Sequence, residues 1–112
     1  MSKKSENNIS CIYVYMDRCG PCAQTTPIID TMISCGIPVV KMLHTEAPQP
    51  LKRFGTPSIA FYDNEKGEII GDVLSTTHIQ GFKAMQSLGY DVPDFPDYLI
   101  AQIKKHKITN NG

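Results

Sequence analysis

Apolar positions along the chain fall into four strand-like stretches and three helix-like ones, joined by polar or Pro/Gly-bearing segments. In Ile9–Met16, Cys11, Tyr13 and Tyr15 share one face and Ile12, Val14 and Met16 the other. Both faces are largely apolar, which predicts a central strand covered on two sides. From Ala23 to Cys35, Ile28, Ile29, Met32 and Ile33 recur at helical spacing; Gly36 fits the stop, and Pro27 should kink the helix. Ile37–Leu43 reads as a second strand, parallel to the first because a helix connects them. Two prolines make 45–54 a poor helix, with one or two turns near Leu51–Phe54. Ser58–Tyr62 is a third strand, Asp63–Gly67 a hairpin turn and Glu68–Leu74 a fourth strand. Thr77–Gln80 has capping-box spacing, and Ile79, Phe82, Met85 and Leu88 predict a helix ending at Gly89. The order is β-α-β, then β-β-α. A Pro-punctuated linker over 90–96 leads to a further helix, Asp97–Lys107, whose terminal lysines suit the helix dipole.

The chain of 112 residues is long enough for one ordinary core. Eleven basic residues balance eleven acidic ones, which argues against nucleic-acid or membrane-surface binding. No apolar run approaches the roughly 18–20 residues of a membrane span. The polar residues 1–8 read as a disordered lead-in without the apolar region of a signal peptide, so the expected location is the cytoplasm. There, four cysteines are expected as thiols with one reactive pair.

That pair is Cys19-Gly20-Pro21-Cys22, between the first strand and the first helix. Two thiols three residues apart at a helix N-terminus can pass electrons in pairs. The orphan N–H groups of the helix lower the pKa of a thiol placed at its end, and Arg18 adds a neighbouring positive charge. Cys22, a turn further in, should be more buried and resolve the mixed disulfide that Cys19 forms. Gly20 permits close approach, and Pro21 costs no hydrogen bond at a helix start. Parallel first and second strands bring His44 and Glu46 to the edge that carries the motif. An antiparallel third strand brings Thr56-Pro57 there too, with Ser75 and Thr76 in the loop after the fourth strand.

The element order, Cys19-Gly-Pro-Cys22, Pro27 in the following helix and Thr56-Pro57 opening a strand together resemble the thioredoxin family over about residues 9–89. The resemblance implies an α/β thioredoxin-like fold: a mixed four-stranded sheet, helices on both faces, and residues 90–112 as linker and C-terminal helix with a frayed end. It implies that Pro57 is cis and packs against the dithiol. It also implies that Arg18, Gly20, Pro21, Thr56, Pro57 and Ser75 bind substrate, partly by backbone pairing with an extended segment. Four departures stand out. The leading strand and helix are missing, Arg18 replaces the usual Trp, the buried Asp under the resolving cysteine falls at Tyr13, and residues 90–112 are an extension. Tyr13, with an ordinary pKa of about 10, cannot replace a carboxylate base. Lys41, if desolvated, His44 or water is then expected to take the Cys22 proton.

The expected function is reduction of protein disulfides by a monomer. No cofactor beyond the redox-active disulfide is expected, with electrons from a disulfide reductase or a low-molecular-weight thiol. Two alternatives stand beside it. One is a glutathione-dependent glutaredoxin, favoured by the compact size and disfavoured by Gly-Pro in the motif. The other is a binding subunit that docks through 90–112. A metal site is not expected, because closed zinc sites need four ligands and no fourth is evident. Cys11 and Cys35 are expected to be buried small hydrophobes.

Overall fold

The computed structural model describes residues 9–75, 84–91 and 94–106. Four consecutive side chains, Cys11 to Val14, are buried in β1 (Ile9–Tyr15), two on each face. This is what an apolar pattern on both faces requires of a strand at the centre of a sheet. β1 pairs in parallel with β2 (Val39–Leu43), with Tyr13 opposite Lys41. On its other side it pairs antiparallel with β3 (Ser58–Asp63), with Val14 opposite Ser58. β3 pairs antiparallel with β4 (Glu68–Ser75), so the strand order is β2-β1-β3-β4. The β3–β4 hairpin closes where expected. Asp63 accepts hydrogen bonds from the Glu65 and Lys66 N–H groups at 2.9 and 3.0 Å. Gly67 supplies the left-handed residue at φ +69°.

α1 (Gly20–Ser34) covers one face and starts three residues before the apolar spacing predicts. The reason is local: the first helical residues need no intrahelical partner for their N–H groups, so Gly20 and Pro21 fit there without leaving an apolar signature. Of the four apolar positions expected to face inward, Ile29 and Met32 do, whereas Ile28 and Ile33 are exposed. The buried stripe is Cys22, Thr25, Ile29 and Met32. Its spacing of three and four residues defines one face and excludes the other two. Gly36, at φ +90°, ends the turn after the helix. Cys35 is exposed, which corrects the expectation of a buried thiol.

The opposite face is covered by a 3-10 turn at His44–Glu46 and by α2 (Gln49–Lys52). Ala47 and Leu51 join Ile12, Val14 and Ala60 there in a small second cluster. Of the helix expected to end at Gly89, residues 84–87 (α3) are helical and Gly89 is left-handed, while 76–83 lie outside the described residues. The lead-in at 1–8 and the end at 107–112 lie outside them as well.

The last helix, α4 (Phe95–Lys105), begins two residues earlier than expected, with Pro96 in its first turn. The sequence left open whether it packs on the core. Leu99 and Ile103 are buried in the α1-side cluster with Cys11, Tyr13, Ile29, Ile59 and Phe61. The His106 ring lies 4.7 Å from that of Phe61. Leu99 is 0% exposed and Leu88, in the turn after α3, 76%. Leu99→Ala should therefore destabilise the protein by about 2–5 kcal/mol, and Leu88→Ala by less than about 0.5 kcal/mol. Urea unfolding of both variants checks this; equal midpoints would show that α4 does not hold the core.

Candidate active site

The end of β1 leads through the exposed residues Met16, Asp17 and Arg18 to Cys19, the N-cap of α1. N-caps are usually Ser, Thr, Asp or Asn, whose oxygen accepts from an early helical N–H. Here a sulfur does this: Cys19 Sγ accepts from the Cys22 N–H at 3.2 Å. Cys19 and Cys22 are joined as a disulfide, with Cα atoms 5.1 Å apart. Cys19 is half-buried and Cys22 buried. The first turn of α1 carries no acidic residue, so nothing there opposes a negative sulfur at the positive end of the helix dipole. Gly20 and Pro21 are exposed, and the Pro21 carbonyl accepts from the Thr25 hydroxyl at 3.2 Å.

The loop before β3 completes the site. The Thr56–Pro57 peptide bond is cis, and Pro57 is fully buried. Both oxygens of Thr56 face Cys19. Its hydroxyl donates to Sγ at 3.4 Å, and its carbonyl oxygen lies 3.5 Å from the same atom. Ser75, half-buried, pairs with Ser58 in the sheet register, so the end of β4 reaches the same edge. A four-stranded β2-β1-β3-β4 sheet, a helix capped by the first of two cysteines and a cis-proline against that cysteine now stand together. The chain has a thioredoxin-like fold.

No family model and no curated protein matches the chain. Among solved structures, it is similar to mitochondrial thioredoxin 3 from Saccharomyces cerevisiae. The identity is 23%, with 73% of this chain and 80% of that chain covered, at a TM-score of 0.46. Thioredoxin from Plasmodium falciparum is 18% identical, with 74% and 73% covered and a TM-score of 0.47. Thioredoxin O2 from Arabidopsis thaliana is 18% identical, with 75% and 77% covered and a TM-score of 0.45.

The remaining candidate residues are placed differently from one another. Lys41 does not meet the condition of being desolvated. It is exposed and paired with Asp30 at 2.6 Å, and its ammonium lies 5.9 Å from the centre of the Tyr15 ring. The Asp30 hydrogen bond holds the Lys41 pKa above its usual range, which leaves less of it in the neutral form that could take a proton. His44 is half-buried, and its Nε2 shares a 2.9 Å hydrogen bond with the Lys52 carbonyl. That contact requires the proton on Nε2 and leaves Nδ1 as the acceptor. Tyr13 is fully buried, and its hydroxyl is 2.8 Å from Thr26 Oγ1, one helical turn beyond Cys22. Burial raises its pKa further, against the smaller effect of the Thr26 bond. Among the described residues no group of three or more His, Cys, Asp or Glu side chains is placed to hold a metal ion.

Three side-chain contacts go beyond the sequence reading: Thr56 to Cys19, Tyr13 to Thr26, and Lys41 to Asp30. The first could have been read from a hydroxyl residue directly before Pro57. The other two depend on how α1 is rotated over the sheet.

Two outcomes follow from these contacts. Thr26→Val leaves the Tyr13 hydroxyl buried without its partner and should cost about 1–3 kcal/mol in urea unfolding. A cost near zero would mean that solvent reaches the Tyr13 oxygen. The second concerns Cys11, whose thiol is pushed up to about 12 by burial. The unfolded thiol ionises near its ordinary value of about 8.5. The folded state therefore keeps a proton that the unfolded state releases. The stability from this group is fully present below about pH 8.5 and is lost as pH rises, by about 1.4 kcal/mol per pH unit. Relative to Cys11→Ala, the wild type should lose stability with that slope between pH 9 and pH 11. Parallel pH profiles would mean that Cys11 is reached by solvent in the native state.

Proposed function

We propose that the chain is a thiol–disulfide oxidoreductase that reduces protein disulfides through Cys19 and Cys22. The observation that carries this is the pair itself: a half-exposed sulfur capping a helix, joined to a buried sulfur one turn in, beside Thr56–Pro57. In the reduced form, the Cys19 thiolate attacks one sulfur of a substrate disulfide. A Cys19–substrate disulfide forms, and the second substrate sulfur leaves as a thiolate that takes up a proton. Cys22 then loses its proton and attacks Cys19 Sγ. The Cys19–Cys22 disulfide closes, and the first substrate sulfur is released and protonated. Two electrons and two protons pass from the dithiol to the substrate. A disulfide reductase or a low-molecular-weight thiol returns them.

Arg18, Gly20 and Pro21 are exposed around Cys19, where a substrate disulfide must approach. An extended substrate segment beside Thr56 and Pro57, with Ser75 on the neighbouring strand end, fits recognition by backbone pairing. Lys41 drops out as the base for Cys22 because Asp30 holds its proton. Solvent or His44 Nδ1 is left for that step. The binding-subunit alternative needs a docking face on the last helix, yet the apolar side chains Leu99 and Ile103 of α4 are spent in the core. No helix among the described residues is long and apolar enough to cross a membrane.

The decisive experiment is trapping. Cys22→Ser should accumulate a covalent mixed disulfide with a disulfide-containing protein, seen by mass spectrometry, and Cys19→Ser should accumulate none. Trapping through Cys22 instead would reverse the roles. Failure of both to trap, together with full biological activity of the double variant, would favour a binding module. Equilibration in dithiol buffers gives the direction of flow. A reduction potential near the thioredoxin value of about −270 mV marks a reductant. A value of about −200 mV or above, with rapid turnover of glutathione mixed disulfides, would mark the glutaredoxin-type activity instead.

A further inference from the structure

The end of α3 presents apolar side chains to solvent. Met85 is 43% exposed, Leu88 76% and Tyr90 60%. A single exposed apolar side chain is ordinary, and Met16, Ile28, Ile33 and Val40 are spread over the end of β1, α1 and β2. The three at the end of α3 differ because they adjoin. Leu88 follows Met85 by three residues, which puts both on one side of the helix. The helix then closes in a Schellman motif. The Gly89 N–H donates to the Gln86 carbonyl and the Tyr90 N–H to the Met85 carbonyl, each at 3.0 Å, with Gly89 left-handed at φ +92°. This turn brings the residue after the glycine back toward Met85. Backbone hydrogen bonds therefore hold the patch in place.

The charge around the patch has one sign. From Ala84 to Ile103 the sequence holds Asp91, Asp94 and Asp97 and no lysine, arginine or histidine. All three aspartates are exposed. Asp91 follows Tyr90 directly. Asp94 is tied to α3 by the Gln86 side chain, whose Nε2 donates to its carboxylate at 2.7 Å. The C-terminal end of α3 adds the negative end of its dipole. Lys83 precedes this stretch and lies outside the described residues, and Lys104 and Lys105 stand at the far end of α4.

We propose that the end of α3 and the turn into α4 form a docking surface for a basic amphipathic protein segment. Its apolar side chains cover Met85, Leu88 and Tyr90, and its flanking lysines or arginines meet Asp91 and Asp94. This goes beyond the dithiol reading, and no residue of the patch belongs to the site around Cys19. The charges select the occupant. An isologous contact between two copies would bring their carboxylates together, and like charges across an interface are unfavourable. An anionic membrane surface attracts lysine and arginine and repels carboxylates. A basic segment meets both demands of the patch. The stem of a lysine or arginine covers apolar surface while its charged end reaches a carboxylate, and a guanidinium stacks on a tyrosine ring.

The full chain in its disulfide form is panned with a library of random peptides displayed on phage. The library contains no cysteine, so the exposed Cys35 thiol captures nothing covalently. Enriched peptides are synthesised and their affinities measured for the wild type and for variants. A class of them should bind Leu88→Ala and Tyr90→Ala about tenfold more weakly or worse, since a few buried anchors dominate such contacts. Members of that class should carry large apolar residues flanked by lysine or arginine. Asp91→Asn with Asp94→Asn should weaken them several-fold at low salt and remove most of their salt dependence. The change at 94 keeps the oxygen that accepts from Gln86. Ile33→Ala, an exposed change on α1, should leave their binding as it is. Urea midpoints show that each variant is folded. Asp91→Asn alone touches no apolar contact, so the charge arm stands even where truncating Leu88 or Tyr90 disturbs the turn.

If no enriched peptide depends on Leu88 or Tyr90, the proposal is overturned. It is also overturned if the dependent peptides lack basic residues, or if they bind the two-asparagine variant as they bind the wild type. Two further measurements address other occupants. A wild type that sediments as a dimer and becomes monomeric in Leu88→Ala would assign the patch to a second copy. Cosedimentation with vesicles of phosphatidylcholine and phosphatidylglycerol, lost in Leu88→Ala, would assign it to a membrane. Either result would replace the basic segment as the occupant and overturn the proposal.

Discussion

The site depends on one contact, the Cys22 N–H to Cys19 Sγ hydrogen bond that caps α1. A helix must satisfy its first N–H groups, and an N-cap side chain is the local way to do so. Using sulfur as the cap places the Cys19 Sγ at the positive end of the dipole. It also ties the position of Cys19 to the helix that carries Cys22. The sheet then fixes where that helix begins. β1 has partners on both sides and buried side chains on both faces, so its C-terminal end has little freedom. The short exposed turn Met16–Arg18 carries that precision to Cys19, and Thr56 closes on the sulfur from the loop before β3, the antiparallel neighbour.

Beneath the cysteines the polar contacts are neutral. Where the thioredoxin family has a buried carboxylate, Tyr13 donates or accepts a single bond with Thr26. A buried phenol keeps its proton, which avoids the cost of a charge in the core. The Lys41–Asp30 ion pair lies at the surface over Tyr15, where an ion pair contributes little to stability. The consequence for chemistry is asymmetric. Cys19 Sγ accepts from the Cys22 N–H and from the Thr56 hydroxyl. Cys22 is buried, and among the described residues no acidic or basic side chain is hydrogen-bonded to it.

Much of the fold was legible because the informative residues act locally. Two apolar faces on Ile9–Met16 announced a central strand, and Asp63 with Gly67 announced the hairpin through side-chain capping and a left-handed glycine. Cys19-Gly-Pro-Cys22 and Thr56-Pro57 marked the two sides of the site for the same reason: each constrains its own backbone. What could not be read depends on rotation and packing. Ile28 and Ile33 have the hydrophobicity of Ile29 but sit on the wrong side of a stripe defined by Cys22, Thr25, Ile29 and Met32. Cys35 follows them to the surface. Lys41 was a candidate base only if desolvated, and it is instead exposed and paired with Asp30, eleven residues away on α1. No periodicity within β2 reports that pairing.

The last helix shows how the α1-side face of the sheet is covered. On the α1 side, the sheet presents Cys11, Tyr13, Ile59 and Phe61, and one helix contributes only Ile29 and Met32 from its inner stripe beside the cysteine end. Leu99 and Ile103 of α4 pack into the same cluster, with His106 against Phe61. Their burial follows the general rule that a sheet face left open to water must be covered by some element. The described part of α3 does not do so: residues 84–90 are exposed throughout, including Met85, Leu88 and Tyr90. Among the described residues, this face of β1 is thus covered by two helices with different tasks. α1 aims the cysteines, and α4 supplies apolar surface that α1, rotated to place Cys22 inward, cannot supply alone.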